Sequence, residues 1–290
     1  MIEVEGMDDW LQRKMETAID YTKRVLRRGG RAKKSLGQNF LIDDSIIEDI
    51  VWQGIPEGDM PLVEIGSGPG GLTRALVERT DRLWAVELDT EKIEILEKEF
   101  LDYPLHLIHM DALKLNLQDL WGKEKGWLVG NLPYYITNPL LMHFLEQGES
   151  LKGLTIMVQK EVGNRMMARP GSKEYGILSI AVQLSAEVHK LFDVPPAAFW
   201  PPPKVTSTVL RLDIRSYPGL EIDSVTFFQV VRAAFGQRRK TLLNALTAGL
   251  NIPKPEMSEI LRIAGIDEGL RPEKLSIPEY EKIAKLIKSR

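Results

Sequence analysis

The stretch Leu62-Val63-Glu64-Ile65-Gly66-Ser67-Gly68-Pro69-Gly70-Gly71 decides how the rest of the chain is read. Leu62–Ile65 reads as a buried strand, and Leu72–Arg79 behind the turn reads as a helix. Between them Gly66, Gly68 and Gly71 fall in G-x-G-x-x-G spacing. Without Cβ atoms the backbone can turn tightly and let a ligand approach, and a helix N-terminus adds free N–H donors. Strand, glycine turn and helix open an α/β domain of the nucleotide-binding kind. The match alone does not choose the nucleotide.

Downstream the alternation continues. Strand Leu83–Val86 runs into Glu87-Leu88-Asp89, a carboxylate about 20 residues past the first glycine, where such folds bind ribose hydroxyls. Helix Glu91–Phe100 and strand Leu105–Met110 follow, ending in Asp111. Helix-like Leu113–Leu120 leads to Trp127-Leu128-Val129 and then to Gly130-Asn131-Leu132-Pro133-Tyr134-Tyr135. Ligands of open α/β sheets bind outside the carboxyl ends of the strands, so Gly66, Glu87, Asp111 and Asn131 are expected to converge. An amide, a rigid proline and an aromatic ring there make a polar pocket with a flat wall, which suits a nucleobase.

Helix Pro139–Leu145, strand Leu154–Gln159 and helices Lys160–Ala168 and Tyr175–Ala186 come next, then strands Glu187–Val194 and Ser207–Ile214. The loop between those strands, Pro195 to Lys204, is too proline-rich for regular structure. Phe199 and Trp200 on this stiff support suit base stacking beside Lys204, and packing under the loop is the equal alternative. After a linker at Arg215–Gly219 the periodicity is helical throughout, over Ser224–Phe235, Lys240–Leu250, Glu256–Ala264 and Glu279–Lys288.

Upstream of the glycine turn, Trp10, Leu11, Met15, Ala18, Ile19, Val25 and Leu26 recur near helical spacing from Asp8 to Arg28, and Gly29-Gly30 would end that helix. Lys33-Lys34-Ser35-Leu36-Gly37-Gln38-Asn39-Phe40-Leu41 is a basic turn with two amides, before a helix over Ile46–Trp52 capped from Asp43-Asp44-Ser45. Three regions are predicted: an N-terminal helical extension (1–32), a ligand-binding α/β domain (33–215) and a small all-helical domain (216–290).

The 290 residues, 43% hydrophobic and 27% charged, suit one large or two modest globular domains. No apolar run approaches the roughly 20 residues that span a bilayer, and the N-terminus lacks a basic-then-apolar signal, so a cytoplasmic protein without a membrane partner is expected. The absence of cysteine excludes disulfides, thiolate metal sites, iron–sulfur clusters and a cysteine nucleophile. His106, His109, His143 and His189 have no ligand spacing, so no metal site is predicted. The net charge of −3 argues against a polyanionic partner, but its distribution argues for one. Between Asp20 and Asp43 there are only bases, Lys33 and Lys34 among them. Between Asp223 and Glu256 the same is true of Arg232, Arg238, Arg239, Lys240 and Lys254. Two basic segments on a mildly acidic body form a phosphate-binding footprint.

A hydride-transferring enzyme would place an acid or base beside its substrate, whereas here the fourth strand delivers Asn131 followed by Leu-Pro-Tyr. Amide and backbone carbonyls are acceptors, and what they hold is an amino group. At this point the chain resembles a known family. Asn131-Leu132-Pro133-Tyr134 is similar to the signature of N6-adenine methyltransferases. Joined to Leu36–Leu41, Val63–Gly70, Glu87-Leu88-Asp89, Phe199–Ser207 and Phe235–Leu242, it resembles the small-subunit ribosomal RNA adenine dimethyltransferases, from about Lys33 to the C-terminus. The resemblance implies a Rossmann-like class I S-adenosylmethionine-dependent methyltransferase domain followed by a helical RNA-binding domain. It also implies dimethylation of two adjacent adenines in the 3′-terminal hairpin of small-subunit RNA, on an immature subunit, by a monomer.

Residue by residue, it implies that Gln38, Asn39 and Leu41 close over the methionine end of the cofactor and that Gly66 and Gly68 line its approach. Glu87 would accept from the ribose, Asp111 from the adenine amino group, and Asn131 would border cofactor and target. Asn131 and Leu132 are the expected acceptors for the target N6, Pro133 sets their spacing, and Tyr134 and Phe199 would sandwich the base. Lys33, Lys34, Lys204, Arg238, Arg239 and Lys240 are the candidate RNA contacts. Three alternatives stay open: a large-subunit adenine methyltransferase of the macrolide-resistance type, an assembly factor for which methylation is secondary, and a nicotinamide dehydrogenase.

Overall fold

Short apolar runs separated by helical periodicity become a seven-stranded sheet in the computed structural model, which describes residues 16–215 and 220–289. Its strands are β2 (Leu62–Ile65), β3 (Leu83–Glu87), β4 (Leu105–His109), β5 (Gly126–Asn131), β6 (Leu151–Gln159), β7 (Ala186–Val194) and β9 (Ser207–Ile214). Their order is β4-β3-β2-β5-β6-β9-β7. Strands β2 to β6 are parallel, and β9 runs antiparallel to β6. β2 is buried along its whole length and β5 along all but Asn131, as parallel strands covered on both faces must be. From β2 the chain steps outward to β3 and β4, then returns to lay β5 on the other side of β2. That reversal opens a crevice at the carboxyl ends of β2 and β5. Register sets Ile65 beside Gly130, and a Cβ at Gly130 would lie 2.7 Å from the Ile65 carbonyl. Glycine there lets the two strands close up, so the glycine turn and Asn131 emerge side by side.

The helices of this part are α1 (Ala18–Gly29), α2 (Asp44–Asp49), α3 (Thr73–Val77), α4 (Thr90–Glu99), α5 (Gln118–Trp121) and α6 (Thr137–Leu145). Side chains of Thr17, Asp43 and Asp89 cap α1, α2 and α4 by accepting from free N–H groups of the first turn. The single helix expected over Leu113–Leu120 is instead a 3-10 turn, Ala112–Lys114, and the short α5. Asp111 accepts from Leu113 N at 3.0 Å and Asn116 from Gln118 N at 3.2 Å. Such local bonds compete with a continuous helix.

A two-stranded ribbon that periodicity did not disclose pairs β1 (Phe40–Leu41) antiparallel with β8 (Phe199–Trp200). It ties the Gln-Asn segment to the proline-rich loop, and Ile42 N continues the pairing onto the Ala198 carbonyl at 2.9 Å.

The described residues form two compact units, one of residues up to Lys160 with His189–Ile214, the other of Glu161–Val188 with residues from Arg215 onward. The second holds α7 (Lys160–Met167, apart from its first residue), α8 (Ile177–Ser185), α9 (Ser224–Gly236), α10 (Leu242–Leu250), α11 (Lys254–Ala264) and α12 (Ile277–Lys288). The contacts thus divide the chain differently from the boundary at 215. Tyr175 and Ile180 share a core with Phe227, Leu246, Met257 and Tyr280. Periodicity shows that such a helix has an apolar face but not which partner covers it.

Nor does 1–32 stand apart. Ala18, Tyr21 and Val25 of α1 are buried in the first unit. Trp10, Leu11 and Met15 of the predicted first helix lie outside the described residues, as does the linker from Ser216 to Gly219. No helix among the described residues is long and apolar enough to cross a membrane.

Candidate active site

The crevice is a cleft, open at its mouth, lined by the glycine turn, Gln38 to Leu41, Glu87 and Asn131 to Ile136. Gly66 and Gly68 have φ of +74° and +56°, the left-handed region that side chains avoid. The turn is held from β3: Gly68 N donates to Glu87 Oε2 at 2.8 Å, while Leu88 N and Asp89 N donate to Oε1 at 2.9 and 2.8 Å. Burial pushes the Glu87 carboxyl above the usual carboxylate range, and the three N–H donors pull against that. Oε2 accepts only one of these bonds, so it keeps capacity for a hydroxyl donor.

Asn131 ends β5. Its Nδ2 donates to the Asn39 carbonyl at 2.9 Å. A carbonyl can only accept, so this bond orients the amide and leaves Oδ1 as the free acceptor. Leu132 is buried, and its N–H donates to the Met157 carbonyl on β6 at 3.1 Å. The Leu132 carbonyl has no hydrogen-bond partner among the described residues. The Pro133 carbonyl instead accepts from Ile136 N at 3.1 Å and Thr137 Oγ1 at 3.0 Å, which fastens the loop to the start of α6. Half-buried Tyr134 shares a 2.6 Å hydrogen bond between its hydroxyl and Ser207 Oγ. Two acceptors without partners among the described residues, at the end of one strand and beside a ring, are an arrangement that suits an exocyclic amino group.

Other expected residues are placed differently. Phe199 is 1% exposed and packs in the core with Leu41 rather than facing the cleft, whereas Trp200 is 48% exposed. Successive side chains of a strand point to opposite faces, and the pairing of Leu41 with Phe199 turns that ring inward. Lys33 is not a free cation: its Nζ lies 2.6 Å from Asp89 Oδ1 and 3.3 Å from Glu91 Oε1. Asp89 is buried, and despite that burial its bonds to Lys33 and Gln38 hold its carboxyl below the usual range. Gln38 accepts from Lys33 N at 2.8 Å and donates to Asp89 Oδ2 at 3.0 Å. Its amide therefore braces the closing segment against β3. Asp111 sits between cleft-lining Met110 and Ala112, with one oxygen capping Leu113. Lys34, Lys204, Arg239 and Lys240 are exposed. Arg238 donates to the carbonyls of Lys173 and Tyr175 within the helical unit, so part of its task is to hold that loop.

A residue without an assigned role from the sequence is Glu64, 2% exposed on β2 and bordering the cleft. Thr73 Oγ1 donates to it at 2.5 Å. Burial pushes its carboxyl up from 4.5 to about 7. An acid inside a short apolar strand was the available signal. Because the folded pKa is raised, the folded state binds more protons than the unfolded state between about 4.5 and 7, and stability from this group is lost as pH rises through that window. Glu64→Gln should therefore gain on the parent as pH rises from about 5 to 7, by about 3 kcal/mol at most, and then level off. Denaturant unfolding across that range measures the difference. A difference independent of pH would mean that Glu64 is already ionised throughout.

Comparison with known proteins gives this geometry a family. The pattern of the ribosomal RNA adenine dimethylases matches residues 29–289. A ribosomal RNA small subunit methyltransferase A of Desulfitobacterium hafniense is 56% identical over 273 residues, covering 94% of this chain and 98% of the relative. The protein of the same name from Clostridium acetobutylicum is 43% identical over 257 residues, covering 88% and 93%. Among solved structures, a dimethyladenosine transferase from Plasmodium falciparum superposes with a TM-score of 0.74 at 25% identity, over 84% of this chain and 95% of that one. The 23S rRNA methyltransferase ErmE, at 22% identity, shares the fold with a TM-score of 0.64 over 86% of this chain and all of its own. With its glycine turn, strand-end acid and Asn-Leu-Pro-Tyr loop in place, the chain belongs to the ribosomal RNA adenine dimethylase family.

Proposed function

We propose that this S-adenosylmethionine-dependent small-subunit ribosomal RNA adenine dimethyltransferase dimethylates N6 of two adjacent adenines in the 3′-terminal hairpin of that RNA, acting as a cytoplasmic monomer on an immature subunit. The observation that carries the reading is the oriented Asn131 amide, with Oδ1 left as an acceptor beside the unpartnered Leu132 carbonyl. The relatives at 56% and 43% identity are named for the small subunit, which supports that target over the large-subunit alternative.

The residues of the cleft fit S-adenosylmethionine: Glu87 offers an acceptor to a ribose hydroxyl, and the glycine turn leaves room where side chains would intrude. When bound, the cofactor supplies a methyl group made electrophilic by its positive sulfur. The chain's own work is positioning. The N6 lone pair of adenine is delocalised into the ring, so the nitrogen is a poor nucleophile while planar. Asn131 Oδ1 and the Leu132 carbonyl accept its two hydrogens and favour a pyramidal nitrogen with a localised lone pair. Holding that geometry is the main catalytic contribution. No side chain needs to remove a proton beforehand, because the N6 proton becomes acidic only once the nitrogen has a fourth substituent. The Tyr134 ring is the stacking wall, worth about 1–3 kcal/mol by analogy with base–aromatic stacking.

Labelled S-adenosylmethionine, immature small subunits lacking the modification, and mapping of the labelled positions test the proposal. Label on the two adjacent adenines is expected, and label at other positions of the small-subunit RNA, or none, would overturn it. RNA phosphates are assigned to exposed Arg239 and Lys240 together with Lys34 and Lys204. Replacing Arg239 and Lys240 by alanine should weaken RNA binding and flatten its dependence on salt, by about 0.7 to 0.9 log units of slope per lost contact. An unchanged slope in a salt titration would remove these residues from the interface.

A further inference from the structure

Helix α1 contributes no residue to the lining of the cleft, yet its first turn rests against the back of the glycine turn. Tyr21 is 3% exposed, and its hydroxyl donates to the Pro69 carbonyl at 2.7 Å. Pro69 and Gly68 line the cleft on their other side. The ring is clasped by guanidinium groups, Arg74 at 4.6 Å and Arg24 at 5.3 Å from its centroid. A Cβ at Gly70 would come within 2.8 Å of the Tyr21 oxygen and 2.6 Å of the Phe100 ring. The turn therefore rests directly on α1 and α4.

The helix is itself fixed. Ala18 N donates to both oxygens of Asp44 at 3.0 and 3.1 Å. Arg24 pairs with Glu16 and Glu99 at 2.9 and 2.8 Å, and Arg74 donates to the Glu16 carbonyl at 2.8 Å. Val25 packs on Ile95 of α4. A turn containing Gly66, Gly68 and Gly70, all at positive φ, has much conformational freedom to lose when a ligand orders it. On the β3 side it is held by Gly66 N on the Val86 carbonyl at 2.9 Å and Gly68 N on Glu87, and the Tyr21 hydroxyl holds it from behind.

We infer that α1 is a buttress for the cofactor turn and that Tyr21 is the positioning residue through which it acts, setting affinity for S-adenosylmethionine without touching it. This rests on the placement of the cofactor in the cleft. Tyr21→Phe removes the hydroxyl and keeps the ring between its two arginines, so the full chain should still fold. The probe is S-adenosylhomocysteine, titrated calorimetrically into parent, Tyr21→Phe and Glu87→Ala, with steady-state methylation of immature small subunits alongside. In Tyr21→Phe, the Kd for the probe and the KM for S-adenosylmethionine should both rise about fivefold, with kcat at saturating cofactor within about twofold of the parent. A merely structural tyrosine would lower the thermal midpoint and leave Kd and KM where they were, and that outcome overturns the proposal. If Glu87→Ala also bound the probe like the parent, the cofactor would lie elsewhere and the reading of the cleft would fail first.

Discussion

Asn131→Ala should lower kcat for methyl transfer by about 10²–10³-fold, the loss seen when one preorganised polar group of a transition-state site is removed. Binding of S-adenosylhomocysteine should change far less. The separation follows from what the side chain touches. Nδ2 is committed to the Asn39 carbonyl at 2.9 Å, and Oδ1 is the atom left for the target. Alanine removes the acceptor and also frees the Asn39 segment, so a modest loss of cofactor affinity, about threefold to fivefold, should accompany the loss of rate. Asn131→Asp is the sharper comparison. A carboxylate also accepts, but it has no N–H for the Asn39 carbonyl and would set two acceptors against each other. Single-turnover rates for both variants, beside calorimetric binding of S-adenosylhomocysteine, measure the split. Parental kcat in a folded, cofactor-binding Asn131→Ala protein would end the proposed acceptor role.

Glu87→Ala should act in the opposite way, on affinity before rate. The carboxylate accepts from the N–H groups of Gly68, Leu88 and Asp89 and is 7% exposed. Truncation leaves those donors without their partner and removes the proposed acceptor for the ribose. Breaking a buried charged hydrogen-bond set costs about 2–5 kcal/mol, so the Kd for S-adenosylhomocysteine should rise at least about 30-fold, with a lower thermal midpoint. Glu87→Gln keeps the shape but turns an NH₂ toward one of the N–H donors, and it should fall between parent and alanine. A Kd for Glu87→Ala within threefold of the parent would show that this carboxylate does not bind the cofactor. Together the two variants test the proposed division of the cleft, with the end of β3 for the cofactor and the end of β5 for the target.

Much of this is legible in the sequence. The glycine turn, the acid at the end of β3 and the Asn-Leu-Pro-Tyr loop at the end of β5 each follow a short apolar strand, and in a parallel sheet that position is itself a prediction of convergence. Elements with a strong period were read close to their observed bounds. The strand expected at Ser207–Ile214 is β9, and the helix expected at Pro139–Leu145 is α6 with two residues added at its start. The less accurate readings share a cause. Whether Phe199 faces a base or the core depends on a two-residue pairing with a segment more than 150 positions away. Whether Lys33 meets RNA or Asp89 depends on how a loop folds over β3. Neither partner is local, so no period of the sequence encodes it.

From residue order alone came the α/β alternation, the glycine turn, the strand-end polar groups, the absence of thiol chemistry and the resemblance to a family. These are properties of short segments, governed by side-chain period, by the missing Cβ of glycine and by chemical type. Tertiary structure alone decided which oxygen of the site is free. It placed Nδ2 of Asn131 on a carbonyl 92 residues away in sequence and left Oδ1 without a partner among the described residues. It brought Tyr21 against Pro69 across 48 residues and so gave the N-terminal helix a task. It also moved α8 into the helical unit. Each of these outcomes is a long-range choice of partner for a group whose type the sequence states and whose neighbour only the folded chain supplies.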